Sequence, residues 1–162
     1  MQGKLTLQAF WIDRETGAIC FNGGRLGVGD GEGAVVGATG QRRDMGNGYV
    51  WLDVEGLTFG GAAAVLALAF FEGRFCEASW AVMLFGEADG WPTGEAMVRE
   101  VTFVRGVLRE QVGLAAGRGA ARFEWGEVWS GIDLRGGSAS HGLRYGVRKR
   151  GWLGRLWETA RG

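Results

Sequence analysis

Between Tyr49 and Glu55 the side chains alternate without a break: Val50, Leu52 and Val54 fall on one side, Tyr49, Trp51, Asp53 and Glu55 on the other. A period of two marks a strand buried on one face. Two β-rich runs follow, 62–71 and 75–85, separated only by Glu72-Gly73-Arg74. So short a connection, holding a glycine that can take the positive φ of a hairpin turn, predicts a β-hairpin. Three strands in sequence, joined by short turns, commit this chain to an antiparallel sheet.

The remaining elements are read against that sheet. Residues 5–12 and 18–21 form a further pair of strands around the polar turn 13–17, which ends in Gly17. A second hairpin runs from Arg122 to Val147 and turns at Arg135-Gly136-Gly137. On its first strand Trp125, Glu127, Trp129 and Asp133 share one face, and Val128, Ile132 and Leu134 the other; Ala139, His141, Leu143, Tyr145 and Val147 align on its second strand. One helix interrupts the strands. Pro92-Thr93-Gly94-Glu95 opens it, with Thr93 as cap and Glu95 at the positive end of the dipole. Met97, Val101, Val104, Leu108 and Val112 then recur at helical spacing, and Gly113 or Gly117 ends it. Gly106 inside the stripe predicts a helix backbone close to the sheet. The alanines of 62–71 predict room above that strand for the bulk of the helix. The fold class is α+β: an antiparallel sheet of six to eight strands with one long helix packed on a face.

Composition enters where it excludes. Thirty-two glycines stand against one proline, but there is no three-residue period, and Trp, Phe and Val interleave with them. Collagen and flexible-linker readings both fail. At 162 residues the chain is one domain of ordinary size, which we place at 1–150, followed by a tail at 151–162. Eighteen basic side chains balance eighteen acidic ones, so there is no strong nucleic-acid signal overall. The balance is uneven along the chain. From Arg144 onward six basic residues face Glu158 alone, a net of plus five, leaving twelve basic against seventeen acidic before it. Trp152, Leu153, Leu156 and Trp157 share one side of a short amphipathic segment there. Docking onto the acidic body is favoured over contact with an anionic membrane or nucleic acid.

Near the start, Gln8, Asp13, Arg14 and Glu15 break any apolar stretch, so we expect no export signal. Cys20 and Cys76 lack a CxxC spacing, which predicts reduced, buried thiols, no metal and a cytoplasmic protein.

Few motifs carry chemistry. Gly29, Gly31 and Ala34 fit a dinucleotide spacing, but the residues after them read as strand and Asp30 and Glu32 repel phosphate, so 23–33 is read as a mobile loop. No cofactor is expected. His141 is the single histidine, and Ser138 and Ser140 point to the opposite face of its strand; a hydrogen-bonded structural histidine is expected, not a triad. The carboxylates are more informative. Asp53 and Glu55 flank Trp51 on one strand face, and Glu127 sits between Trp125 and Trp129 on another, with Asp133 beyond. Aromatic and acidic side chains sharing a face read as a partner-binding surface. The alternative is a small-molecule or carbohydrate-binding protein or hydrolase using the same Trp and carboxylate groups.

The stretch Phe123-Glu124-Trp125-Gly126-Glu127-Val128-Trp129-Ser130-Gly131-Ile132-Asp133-Leu134-Arg135-Gly136-Gly137-Ser138-Ala139-Ser140, on through Tyr145, resembles a pattern in small bacterial proteins of unknown function. Some of these are similar to immunity proteins that neutralise secreted toxins. The preceding order of strand, Glu72-Gly73-Arg74, strand and helix is similar too, so the likeness covers about the last hundred residues. It rests on turns and aromatic positions and carries over no functional residues. It implies a cytosolic inhibitor that binds a toxin and does no chemistry. Trp51, Asp53, Glu55, Trp125, Glu127, Trp129 and Asp133 are therefore the expected partner-binding residues.

Overall fold

The computed structural model describes residues 6–35, 38–84, 94–133 and 135–146. The strands are β1 (Gln8–Ile12), β2 (Ile19–Phe21), β3 (Gly24–Leu26), β4 (Ala38–Asp44), β5 (Tyr49–Phe59), β6 (Ala62–Phe71), β7 (Arg74–Met83), β8 (Ala120–Phe123), β9 (Gly126–Asp133) and β10 (Ser138–Tyr145). The helix α1 (Gly94–Val112) lies between β7 and β8 in the chain. All ten strands join one sheet in the order β3-β2-β1-β5-β6-β7-β10-β9-β8, with β4 beside β5 off that path. The α+β class holds, but the six to eight antiparallel strands become ten, and β1 runs parallel to β5, Gln8 opposite Leu57. The three strands the sequence did not announce, β3, β4 and β8, are short or polar. Pairing with a neighbour makes them strands, not their own propensity.

Two rows of side chains fix the inner face. Val54, Leu66, Trp80, His141 and Ser130 are successive cross-strand partners, as are Leu52, Leu68, Ala78, Leu143 and Val128. All ten are buried. β1 to β3 supply Phe10, Ile12, Ile19, Phe21 and Leu26 to the same core, where Phe10, Phe59 and Trp80 meet at 5.0–6.0 Å between ring centroids. Two irregularities keep the alternation in step with burial. The register shifts between Val54 and Leu57, with Gly56 at φ 70, so both of those residues point inward. A second shift beside Cys76 turns Phe75 inward while Glu77 points out, although the two are only two residues apart. Glu72 and Gly73, both at positive φ, make the two-residue turn of the predicted hairpin.

The helix buries Ala96, Val101, Val104, Val107, Leu108 and Val112 and leaves Met97 half-buried, close to the predicted stripe. It packs on β9 and β10 and touches β1 and β7. Gly113 ends it at φ 75, its N–H donating to the Arg109 carbonyl at 3.0 Å. Gly106 does not approach the sheet: it is exposed, and a Cβ there would meet nothing. Nor does the helix lie over the alanines of β6. Ala63, Ala67 and Ala69 belong to the opposite face of the sheet, since Ala67 partners Asp53 and Ala69 partners Trp51.

The glycine-rich stretch is not a free loop. It contains β3 and a 3-10 turn at Glu32–Ala34. It is also pinned to β7: Gly29 N–H donates to the Phe75 carbonyl at 2.9 Å and Phe75 N–H to the Asp30 carbonyl at 2.8 Å. The expected single strand from Arg122 is also broken. Phe123 partners Gly126, so Glu124 and Trp125 form a tight turn between β8 and β9. The turn at 135–137 is as expected, with Gly137 N–H on the Asp133 carbonyl. Pro92, Thr93, Leu134, Val147 and the tail at 151–162 lie outside the described residues.

Tyr145 closes the core at the end of β10. Its hydroxyl donates to the Gly17 carbonyl at 2.6 Å, and its ring meets Phe75 and Trp125. Burial pushes its phenol above its ordinary value of 10.0. The raised value favours the neutral form, so this stabilisation is complete below pH 10 and is lost as pH rises beyond it, where the unfolded chain ionises first. Tyr145→Phe should cost about 1 kcal/mol at neutral pH by orphaning the Gly17 carbonyl. It should also flatten the alkaline loss of stability. Urea midpoints of both proteins measured across this range check it; parallel alkaline slopes would contradict it.

Candidate functional site

The face of the sheet turned away from α1 carries most of the residues predicted to bind. Its first row runs, partner to partner, Arg43, Trp51, Ala69, Glu77, Arg144, Glu127 and Arg122. The next runs Asp53, Ala67, Ser79, Gly142, Trp129 and Ala120. Two tryptophans therefore stand on either side of a floor that holds small side chains and the Glu77–Arg144 ion pair.

Trp51 is half-buried beside Ala69. Asp53 accepts from the Arg43 guanidinium at 3.4 Å, an exposed contact of little energetic weight. The Glu55 carboxylate lies over Gly40 on β4, close enough that a Cβ there, 2.8 Å from Oε1, would make this flexible side chain swing aside. Trp129 lies across Gly142 with its Nε1–H donating to Ser140 Oγ at 3.2 Å and the Arg144 guanidinium 5.6 Å from its ring. That guanidinium is held in turn by Glu77 at 2.9 Å. Glu127 is on this face but buried, between Arg144 and Arg122 in register.

Two predicted residues are placed elsewhere. Trp125 sits in the β8–β9 turn and packs over Gly17, parallel to Phe123 at 4.9 Å, with Nε1–H donating to the Arg14 carbonyl at 2.9 Å. It ties two turns together and lines a shallow recess with Arg14, Glu15, Arg122, Phe123 and Glu124. Alternation misassigned it because the strand was read through a turn. Asp133 ends β9, where Oδ1 accepts the N–H groups of Arg135 and Gly136 at 3.0 and 3.1 Å, so it organises the 135–137 turn. A pair of residues not singled out joins the face: Phe71 partners Tyr49, their rings 4.7 Å apart, and both are exposed beside Trp51. The alternation of 49–55 already places Tyr49 there; Phe71 follows only from the pairing register.

His141 is hydrogen-bonded and fully buried, as expected, but its partners come from afar. Nε2 meets Glu100 Oε2 of α1 at 2.5 Å, and Nδ1 meets Ser130 Oγ of β9 at 2.9 Å. The carboxylate fixes Nε2 as the donor, which leaves the neutral ring's Nδ1 to accept from the serine hydroxyl. Serine, histidine and glutamate in a line have the composition of a hydrolase triad. Ser130, however, is 1% exposed and faces the core. The chain of bonds fastens helix to sheet, and Arg105 adds to it by donating through Nε and Nη2 to the Ser130 carbonyl. Asp53 and Glu127 are four strands apart, about 19 Å, well outside the about 5–9.5 Å across which two carboxylates share a glycosidic bond.

Cys20 and Cys76 are free and half-buried, and burial raises both thiols. Among the described residues no group of His, Cys, Asp and Glu is placed to hold a metal ion, and no helix is long and apolar enough to cross a membrane.

No protein-family model matches this chain, and no curated protein does. Among solved structures, it is similar to a chain of the complex described as "Rhs1-CT in complex with cognate immunity protein RhsI1". The two are 12% identical and align over 94% of this chain and 96% of that one, with a TM-score of 0.55. The fold is therefore shared, over nearly the whole chain, with a chain of that complex.

Proposed function

We propose that this chain is a non-enzymatic binding protein of the immunity type, acting in the cytosol, whose sheet face opposite α1 docks on a cognate toxin and occludes it. The observation that carries this reading is the construction of that face. Trp51, Tyr49 and Phe71 at one side and Trp129 at the other rise over Ala67, Ala69 and Gly142, and α1 packs on the other side of the sheet. Aromatic side chains held by a rigid sheet give large contact area at low entropic cost, as interface anchors do. The shared fold with a chain from an immunity-protein complex supports the same reading. The sealed Ser130 hydroxyl speaks against hydrolysis at the one histidine.

The test uses the product of a toxin gene encoded beside this one. Co-purified with it, the chain should form a complex that Trp51→Ala weakens about 30-fold or more, the effect of losing a residue worth at least about 2 kcal/mol. Glu55→Lys should weaken it less and chiefly through the association rate. Unfolding midpoints should barely move, because both side chains stand outside the core. If the complex forms and neither Trp51→Ala nor Trp129→Ala changes its affinity, the face is wrongly assigned. If no toxin co-purifies, the function is.

A further inference from the structure

The alanines of β6 pose a question that the helix does not answer. We propose that the trough they floor, between Trp51 and Trp129, seats this chain's own C-terminal segment, residues 147–162. The open floor is Val65 and Ala67 of β6 with their partners Ala81 and Ser79 of β7, none of them buried, between tryptophan-bearing strands four strand spacings, about 19 Å, apart.

Three observations select this occupant. The first is attachment. The described fold ends at Gly146, directly after β10, and β10 itself supplies Gly142 and Arg144 to the same face. Sixteen residues, reaching up to about 50 Å when extended, span the face with length to spare. The second is charge. Residues 147–162 carry five basic side chains against Glu158, while the rest of the chain holds thirteen basic and seventeen acidic. Glu55, exposed on this face, has no cation beside it among the described residues. The third is shape. Trp152, Leu153, Leu156 and Trp157 are the large apolar groups that an open floor of Val, Ala and Ser leaves room for. Burying a few such side chains is enough to hold a tethered segment, whose effective concentration is in the millimolar range.

The inference shares its surface with the binding reading but does not depend on it, because it is tested with no partner present. A partner docking on this face would have to displace the segment or include it.

The experiment uses the full chain with Cys20→Ser and Cys76→Ser and a nitroxide attached at Thr159→Cys. Paramagnetic broadening of amide resonances then maps where the segment rests. We expect broadening at Val65, Ala67, Ser79 and Ala81 and little at Gly106 on the exposed side of α1. The broadening should be lost in Ala67→Arg, which fills the floor from the surface, and in the double variant Trp152→Ser, Leu156→Ser. It should weaken at high salt. Broadening centred on α1, uniform broadening or none at all would overturn the proposal. So would a label that is immobilised only when anionic vesicles are added, the result expected of a membrane-binding segment.

Discussion

Gly126→Ala should cost about 3 kcal/mol or more, placing it among the most damaging single-methyl additions this fold can receive. A Cβ at Gly126 would lie 1.9 Å from the Arg144 carbonyl oxygen and 2.9 Å from the Tyr145 Cα, both backbone atoms of the paired strand β10. Side chains can swing aside from an added methyl; a hydrogen-bonded neighbouring strand cannot without breaking its ladder. The residue also sits at φ 156, a conformation L side chains rarely adopt. Moving β9 away would disturb the turn that holds Trp125 over Gly17 and the Gly146 N–H bond to the Trp125 carbonyl. Gly106→Ala is the natural control. It is helical, exposed and open on all sides, so the same change should stabilise by up to about 1 kcal/mol. Urea midpoints that move in opposite directions confirm the pair. A Gly126→Ala protein as stable as the parent would mean that the β9–β10 register is wrong.

His141→Ala should destabilise by about 3–5 kcal/mol, because it strands two partners at once. Ser130 and His141 are buried and the Glu100 side chain is 16% exposed, so water reaches only the helix end of the chain of bonds. Without the imidazole, Ser130 Oγ loses its acceptor and the Glu100 carboxylate loses its donor under the helix. The cavity left beside Trp80, 6.5 Å from the imidazole between ring centroids, adds a packing loss. Glu100→Gln keeps an oxygen to accept from Nε2–H and should cost only about 1–2 kcal/mol. The two variants separate a tether from a catalytic group. If both unfold at the parent's denaturant concentration, helix α1 is not fastened here.

The Gly126 and His141 cases show what a sequence conceals. Alternation through 122–134 looks continuous, and it was the close backbone approach at Gly126 that divided it and moved Trp125 from the strand face to a turn. His141 was legible as sharing one face of its strand with Leu143 and Tyr145. Ser130 and Glu100, eleven and forty-one residues away, could be paired with it only by the β9–β10 register and by the seat of the helix. Asp133 belonged to the predicted face by count, but a carboxylate at a strand end finds nearer donors in the turn. Trp51, Asp53, Glu55, Glu127 and Trp129 do come together on one face, because cross-strand pairing preserves the alternation read on each strand.

What the sequence determined by itself was periodic or local. The one-sided strand at 49–55, the β6–β7 hairpin at Glu72-Gly73, the stripe of α1 and its stop at Gly113, and the turn at 135–137 each follow from spacing or from a glycine's freedom at one position. The tertiary structure alone decided which side of β6 is inside. Alternation sorts residues into two faces without saying which face meets the helix, and both faces of β6 are apolar. Leu66 and Leu68 went to the core with the rows that hold Trp80 and Leu143, and the alanines were left outward, opposite the side the helix covers. That choice rests on how much apolar area the whole sheet buries against α1 and β1–β3, a sum over the entire fold that no single strand encodes.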